Sequence, residues 1–273
     1  MDIRIGFNLA CVCPAPTPMV LMLRTHPERH RDLVAGEQLQ LTSLEPARSY
    51  LDCFGNICTR IIVPAGRSTL RGDAIVRDHG APDPVFADAK EMPVSRLPDD
   101  LLVFLMGSRY CETDQLSDIA WNLFGGMPAG WARVQSICDF VHDHIPFSYS
   151  SAQSTRTALG AFQDRSGVCR DFAHLAIAFC RAMNIPARYC TGYLGDIGVP
   201  EAPYPMDFSA WFEAYLDGKW HVFDARHNVP RIGRVLMARG RDAADVPLIT
   251  SFGRHEMSVF EVITNEIVCE HAG

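Results

Sequence analysis

The chain has 273 residues, of which 48 % are hydrophobic and 21 % are charged, so it is a globular protein of one large or two small domains and not a disordered chain. Its formal net charge of −7 disfavours nucleic acid and anionic membrane as partners, since both select clustered Lys and Arg. The first residues alternate in polarity and lack the apolar core of a signal peptide. Ten cysteines without an export signal predict reduced thiols in a cytoplasmic protein.

Residues 1–80 are predicted to form a small β-rich N-terminal domain. Strand-like runs separated by Pro and Gly clusters cover Ile3–Leu9, Val20–Arg24, Tyr50–Phe54, Ile57–Val63 and Ala74–Arg77. Gly55-Asn56 is predicted to be a two-residue hairpin turn, because Gly adopts the positive φ that such a turn requires; this register sets Cys53 opposite Cys58. Residues 81–100 are rich in Pro and Asp without a period, which indicates an interdomain linker.

Residues 101–273 are predicted to form a second domain of helices followed by strands. Helices are expected at Arg109–Phe124 and Trp131–His144, and a third helix, buried along one side, begins after Gly167 and ends near Asn184. Strands are then expected at Ala187–Tyr193, Phe208–Leu216 and Lys219–Asp224, the last two joined by an Asp217-Gly218 turn.

Cys169 lies in the first turn of the third helix. The free N–H groups and partial positive charge of a helix N-terminus lower the pKa of a thiol and can hold an oxyanion, so this position suits a nucleophile. Most single cysteines are instead small core residues. That interpretation is weakened here, because Cys169 follows Val168 on the apolar stripe and points off it.

Several linked motifs between Trp131 and Asn228 resemble the bacterial transglutaminase-like superfamily. They are Gly167-Val168-Cys169-Arg170-Asp171-Phe172-Ala173, Gly192-Tyr193, Ala210-Trp211-Phe212-Glu213-Ala214-Tyr215-Leu216, Gly218-Lys219-Trp220 and Phe223-Asp224. The resemblance implies an α+β fold with a papain/transglutaminase-like core, in which a helix bearing Cys packs on an antiparallel sheet. It also implies Cys169 as the nucleophile and Asp224 as the orienting acid of a Cys–His–Asp triad. The β-rich start is similar to the small domain that often precedes this core.

Ser209 occupies the position of the family's catalytic histidine. A hydroxyl is no base near neutral pH, so the inherited triad lacks its middle member. Strand parity sets Ser209, Trp211, Asp224 and Arg226 on one face, which predicts that Trp211 and Arg226 line the cleft. A His introduced at position 209 is expected to pair with Asp224 and make the thiol more reactive.

Asp207 shares the face of Ser209 and Asp224. As a cleft residue it would raise the pKa of the thiol, because it adds negative charge without an imidazolium to offset it. The alternative is that Asp207 ends the preceding loop, a position that Asp often occupies.

The other histidines of the second domain differ in how well they could replace the base at position 209. His227 is a possible substitute base: it follows the last strand and could swing into the cleft, which requires a bulge. His221 is on the opposite face, and His174 is well round the helix from Cys169. His142 and His144 are expected to cap the last carbonyls of their own helix, where cations are favoured.

Two functions remain open on the sequence alone. One is amide acyl transfer on a peptide or protein substrate through Cys169, by hydrolysis or by transfer to an amine. The other is a catalytically impaired relative that uses the cleft as a peptide-binding module. No cofactor or metal is expected, because Cys11-Val12-Cys13 and Cys53 with Cys58 lack the spacing of zinc ligands.

Overall fold

The first 80 residues form β-strands, and the helices follow, as the sequence pattern predicts. The computed structural model describes residues 1–268. Its strands and helices, in chain order, are β1 Asp2–Cys13, β2 Thr17–Leu21, β3 Gln38–Leu41, β4 Arg48–Leu51, β5 Ile57–Val63, β6 Gly66–Arg77, α1 Thr113–Phe124, α2 Trp131–His144, α3 Ala158–Asp164, α4 Cys169–Ala182, β7 Ala187–Tyr193, β8 Ser209–Leu216, β9 Lys219–Phe223, β10 Val235–Gly240, β11 Ile249–Ser251 and β12 Glu256–Ile267. None of these helices is both long enough and apolar enough to cross a bilayer.

Two antiparallel sheets share one apolar core in the N-terminal part. Their strand orders are β12-β1-β6-β3 and β11-β2-β5-β4. Every second residue of β1 is buried, as period-2 alternation requires of a strand with one face in a core. These side chains meet Met19 and Leu21 of β2 and Val63 of β5 in one cluster, so the two sheets pack face to face.

The last two strands belong to these N-terminal sheets. β12 runs antiparallel to β1 from Asp2↔Ile267 onward, and β11 pairs with β2. The predicted boundary, which assigned all of 101–273 to the second domain, is therefore wrong for residues 249–267. The sequence does not predict a pairing between the two ends of a chain, because alternation within a strand shows which face is buried but not which strand it pairs with.

The turn between β4 and β5 differs from the predicted hairpin. The ladder closes with Leu51↔Ile57 and Tyr50↔Cys58. Asp52 organises the loop between them, since its Oδ1 accepts the N–H groups of Phe54 and Asn56, both at 2.9 Å. Cys53 consequently lies exposed in the loop and not opposite Cys58, so the predicted register is wrong.

The third sheet carries the predicted strands of the second half, in the order β10-β7-β8-β9, and all its neighbours are antiparallel. Alternate residues of β8, from Ala210 to Leu216, join the apolar core that contains α4, so this face of the sheet receives the helix. The turn at Asp217 and Gly218, with φ of 48° and 76°, joins β8 to β9 as predicted. The α+β fold class is confirmed: a buried helix that begins with Cys169 packs on an antiparallel sheet.

Candidate active site

Cys169 is the first residue of α4, as predicted. The start of the helix is fixed by Asp171, whose Oδ2 accepts the N–H of Val168 at 2.9 Å. The Asp171 carboxylate is fully buried and lies 3.5 Å from Nη1 of Arg156. A buried carboxylate at the third position therefore fixes the residue before Cys169, and with it the start of the helix.

Gly167 makes this start possible, because a Cβ at this position would lie 2.7 Å from Cβ and 2.9 Å from Oδ2 of Asp171. Gly167→Ala is expected to lower the free energy of unfolding by about 1–3 kcal/mol, as overpacking does. Urea denaturation measures the loss. Gly36→Ala is the matched control, since a Cβ there meets nothing within 4 Å. Equal losses in the two variants would contradict this account of Gly167.

The thiol of Cys169 lies close to β8. The backbone N–H groups of Ala210 and Arg170 point toward the sulfur. The pKa of Cys169 is nevertheless raised to about 11: burial is the main cause and the charge of Asp207 adds to it, while Arg226 and the two N–H groups lower it. The thiolate expected from the helix N-terminus is therefore not formed in the free protein at neutral pH; loss of hydration outweighs the favourable dipole.

Asp224 follows β9 and begins a tight turn. The N–H of Asn228 donates to the Asp224 carbonyl at 2.8 Å, and the N–H groups of Arg226 and His227 donate to Oδ1 at 3.0 Å each. This turn brings the His227 ring back, so that Nδ1 lies 2.8 Å from Oδ2 of Asp224. His227 thus makes the contact with the acid that a histidine at position 209 would make in the family pattern.

Arg234 of the loop before β10 also binds Asp224. Its Nη2 lies 2.7 Å from Oδ2 of Asp224, and its Nε lies 2.7 Å from Oδ2 of Asp83. Burial opposes ionisation of Asp224, but Arg234 and His227 outweigh it and hold the pKa of Asp224 far below its usual range. The Asp224 oxygens are therefore fully engaged, and a His introduced at position 209 would find the expected acceptor occupied.

Helix α2 holds the turn from its polar face. Nδ1 of His142 lies 2.9 Å from the carbonyl oxygen of Arg226. Nε2 of Gln135 donates to Oδ1 of Asn228, and Nδ2 of Asn228 donates to Oδ1 of Asp139, both at 2.8 Å. The expectation that His142 caps α2 is wrong, because its ring faces the turn. The sequence contains a signal for this set of contacts, because residues 135, 139 and 142 lie on one face of the helix.

The other histidines have structural contacts. His144 bonds to the carbonyl of Phe162 at 2.7 Å and not to its own helix, so the capping expectation is wrong here too. His221 lies 3.2 Å from the carbonyl of Leu216. The buried ring of His174 accepts the N–H of Ala243 at 3.1 Å. None of the three reaches the turn at Asp224 through these contacts.

A cavity of about 390 Å³ opens beside these residues. It is lined by Ser209, Asp207, Arg226 and His227, together with Tyr149 and the loop at 199–206. Ser209 is only 4 % exposed, and its Oγ has no hydrogen-bond partner among the residues described. The predicted cleft residues Asp207 and Arg226 are thus at the cavity, and His227 lines it from the turn.

Trp211 was predicted to line the same cleft, but it lies on the outer face of the sheet. It packs with Cys190 and Leu236, and the guanidinium of Arg234 lies 5.1 Å from its ring centroid. A second cavity, of about 210 Å³, is in contact with it there. Trp211 thus packs against the Arg234 guanidinium that pairs with Asp224.

A thiol at a helix N-terminus next to β8, together with an Asp–His pair after the neighbouring strand β9, is the arrangement of a transglutaminase-like cysteine-protease fold. Residues 118–225 match the family model of the transglutaminase-like superfamily. The chain therefore contains a transglutaminase-like core, and the resemblance read from its motifs is confirmed. Within residues 1–268 no group of three or more His, Cys, Asp or Glu side chains is arranged to hold a metal ion.

The similarity to a solved structure extends over the whole chain. The crystal structure of a "Putative Cysteine Protease" from Cytophaga hutchinsonii is 29 % identical, with a TM-score of 0.84 over 100 % of this chain and 92 % of that one. Among curated proteins, an uncharacterized protein of Mycobacterium leprae is 34 % identical over 43 % of this chain and 40 % of its own length. Another, from Mycobacterium bovis, is 31 % identical over 46 % and 45 %. The chain spans less than half the length of these curated relatives.

Proposed function

We propose that this protein is a cysteine-dependent amide hydrolase or acyltransferase acting on a peptide or protein, with Cys169 as nucleophile, His227 as base and Asp224 as orienting acid. The observation that carries the proposal is the 2.8 Å contact between His227 Nδ1 and Asp224 Oδ2 in the wall of the cleft. It supplies a base that the sequence pattern at position 209 lacks. The cysteine-protease description of the Cytophaga hutchinsonii protein supports the same chemistry.

The bond to Asp224 assigns the roles of the two ring nitrogens. Because Nδ1–H donates to the carboxylate, Nε2 of His227 is free to take the proton of the thiol. The sulfur then attacks the substrate carbonyl, a C–S bond forms, and the carbonyl electron pair moves onto oxygen, facing the N–H groups at the start of α4. Collapse breaks the C–N bond, and the imidazolium gives its proton to the leaving amine. Water or a second amine then attacks the thioester and releases the thiol.

The raised pKa of Cys169 makes such a base necessary. At a pKa of about 11 the thiol carries its proton at neutral pH, so that proton must be removed as the substrate reacts. The side chain of Ser209 is smaller than the histidine of the family pattern, so the space that a histidine would fill in the cleft stays open. In this proposal a serine at position 209 is compatible with activity, since the base comes from the turn after β9.

Acylation by p-nitrophenyl acetate at pH 7.5 tests the proposal against the binding-module alternative. We expect a burst of nitrophenolate and an acetyl group mapped to the Cys169 peptide by mass spectrometry, both absent in Cys169→Ala. Exposed Cys53 in the same chain is the internal reference for an ordinary thiol. If Cys169 acylates no faster than Cys53 and casein is not hydrolysed, the proposal is wrong and the cleft is a binding module.

A further inference from the structure

Asp207 presents a carboxylate without a counter-ion at the wall of the cleft. Its Oδ1 accepts the N–H of Phe208 at 2.7 Å, and in the part of the chain described no ion pair reaches it within 4.0 Å. Burial raises the pKa of Asp207, while the Phe208 N–H and Arg226 oppose the rise. A carboxylate held partly away from water costs free energy unless a cation or further donors compensate it.

Most other charges at this cleft already have partners. Asp196 is paired with Arg231 at 3.5 Å. The guanidinium of Arg226 lies 4.0 Å from the ring centroid of Phe147 and donates to the hydroxyl of Tyr204 at 3.0 Å, so it is engaged, although not by an acid. Glu201 is exposed on the loop of the cleft. Asp207 is therefore the partly buried acid of this cleft that has no ion-pair partner in the part of the chain described.

Ser209 provides a second and independent sign of a ligand. Its buried Oγ lines the cleft without a partner, and a buried hydroxyl left unbonded is unfavourable. Asp207, which precedes β8, and Ser209, its first residue, both line the cavity of about 390 Å³. One ligand group between them would satisfy both.

Resting on the proposed function, we infer that the substrate carries a protonated amine or a guanidinium next to its scissile amide, and that Asp207 and Ser209 bind this group. Both cations offer several N–H donors, which match a carboxylate and a hydroxyl acceptor. Asp207 is then the residue that determines specificity, while Cys169, His227 and Asp224 carry the chemistry.

The same contact would assist the reaction. The charge of Asp207 raises the pKa of Cys169, and a bound cation offsets that charge. Arg226, the larger of the two charge effects, lowers the same pKa, so a bound cation adds to this by removing the opposing effect of Asp207. The cleft therefore selects a cationic substrate twice, in binding and in activation.

Alkylating reagents of different charge test this without any turnover. Bromoethylamine is a cation and iodoacetate an anion at pH 7.5; each forms a C–S bond with the thiolate and releases halide. Their rate ratio at one pH is independent of the thiolate fraction, which cancels. We expect the ratio at Cys169 to exceed that at exposed Cys53 by about tenfold, the effect of one nearby charge, and to fall to the Cys53 value in Asp207→Asn.

Glu201→Gln is the matched control, because it removes an exposed acid of the same loop and is expected to change the ratio less than about twofold. A ratio at Cys169 equal to that at Cys53, or one that persists in Asp207→Asn, overturns the inference. Loss of acylation with the charge preference intact would instead contradict the proposed function and leave cation binding supported.

Discussion

Replacing His227 with Asn is expected to lower the rate of Cys169 acylation by about 10²–10⁴-fold, the usual contribution of a general base. The Asn side chain keeps a hydrogen bond within reach of Asp224 but cannot take a proton from the thiol. The loss should appear in the rate constant of the nitrophenolate burst. The melting temperature should change little, since the Asn amide can still donate a hydrogen bond to Asp224.

His221→Asn is the matched control for this variant. His221 lies in β9, three residues before Asp224, and contacts the carbonyl of Leu216. Its replacement should leave the burst rate within about threefold of the wild type, because the ring is not part of the cleft. A His227→Asn variant that acylates at the wild-type rate would mean that another group accepts the proton. The proposed triad would then be wrong.

The nucleophile and its helix could be predicted because their signals are local. The apolar stripe of α4, the glycine before it and the Asp217-Gly218 turn each fix structure within a few residues. The turn after Phe223 could not be predicted in the same way. Continuing the β8–β9 ladder would set Arg226 opposite Ser209, whereas the chain leaves the ladder at Asp224 and folds back under contacts from α2.

His227 could be named as a candidate base from the sequence, but for this reason its contact with Asp224 could not be predicted. A contact between residues of α2 and the turn spans about 90 positions of sequence, and strand parity carries no information past the end of a ladder. The same limit applies to β12, which pairs with β1 at the other end of the chain. Sequence patterns predict the elements, and long-range contacts decide where the last side chains of a site lie.

Replacing Arg234 with Met is expected to lower the free energy of unfolding by about 3–5 kcal/mol at pH 7, because it leaves buried carboxylates uncompensated. The Arg234 and Asp224 side chains are only 7 % and 3 % exposed, and the same guanidinium also binds Asp83. Urea denaturation measures the loss. Arg4→Met is the control: its pair with Asp73 is about half exposed, and its loss should stay below about 1 kcal/mol.

The pH dependence separates lost charge pairing from lost packing. The folded pKa of Asp224 is depressed, so its contribution to stability is full above the unfolded value of about 3.9 and is lost progressively as the pH falls from there toward the much lower folded pKa. Without Arg234 this depression shrinks, so the difference in stability between wild type and Arg234→Met should be largest near pH 7 and narrow below pH 4. A difference that is the same at pH 7 and at pH 3 would show that Arg234 acts through its packing on Trp211 and not by holding Asp224 ionised for His227.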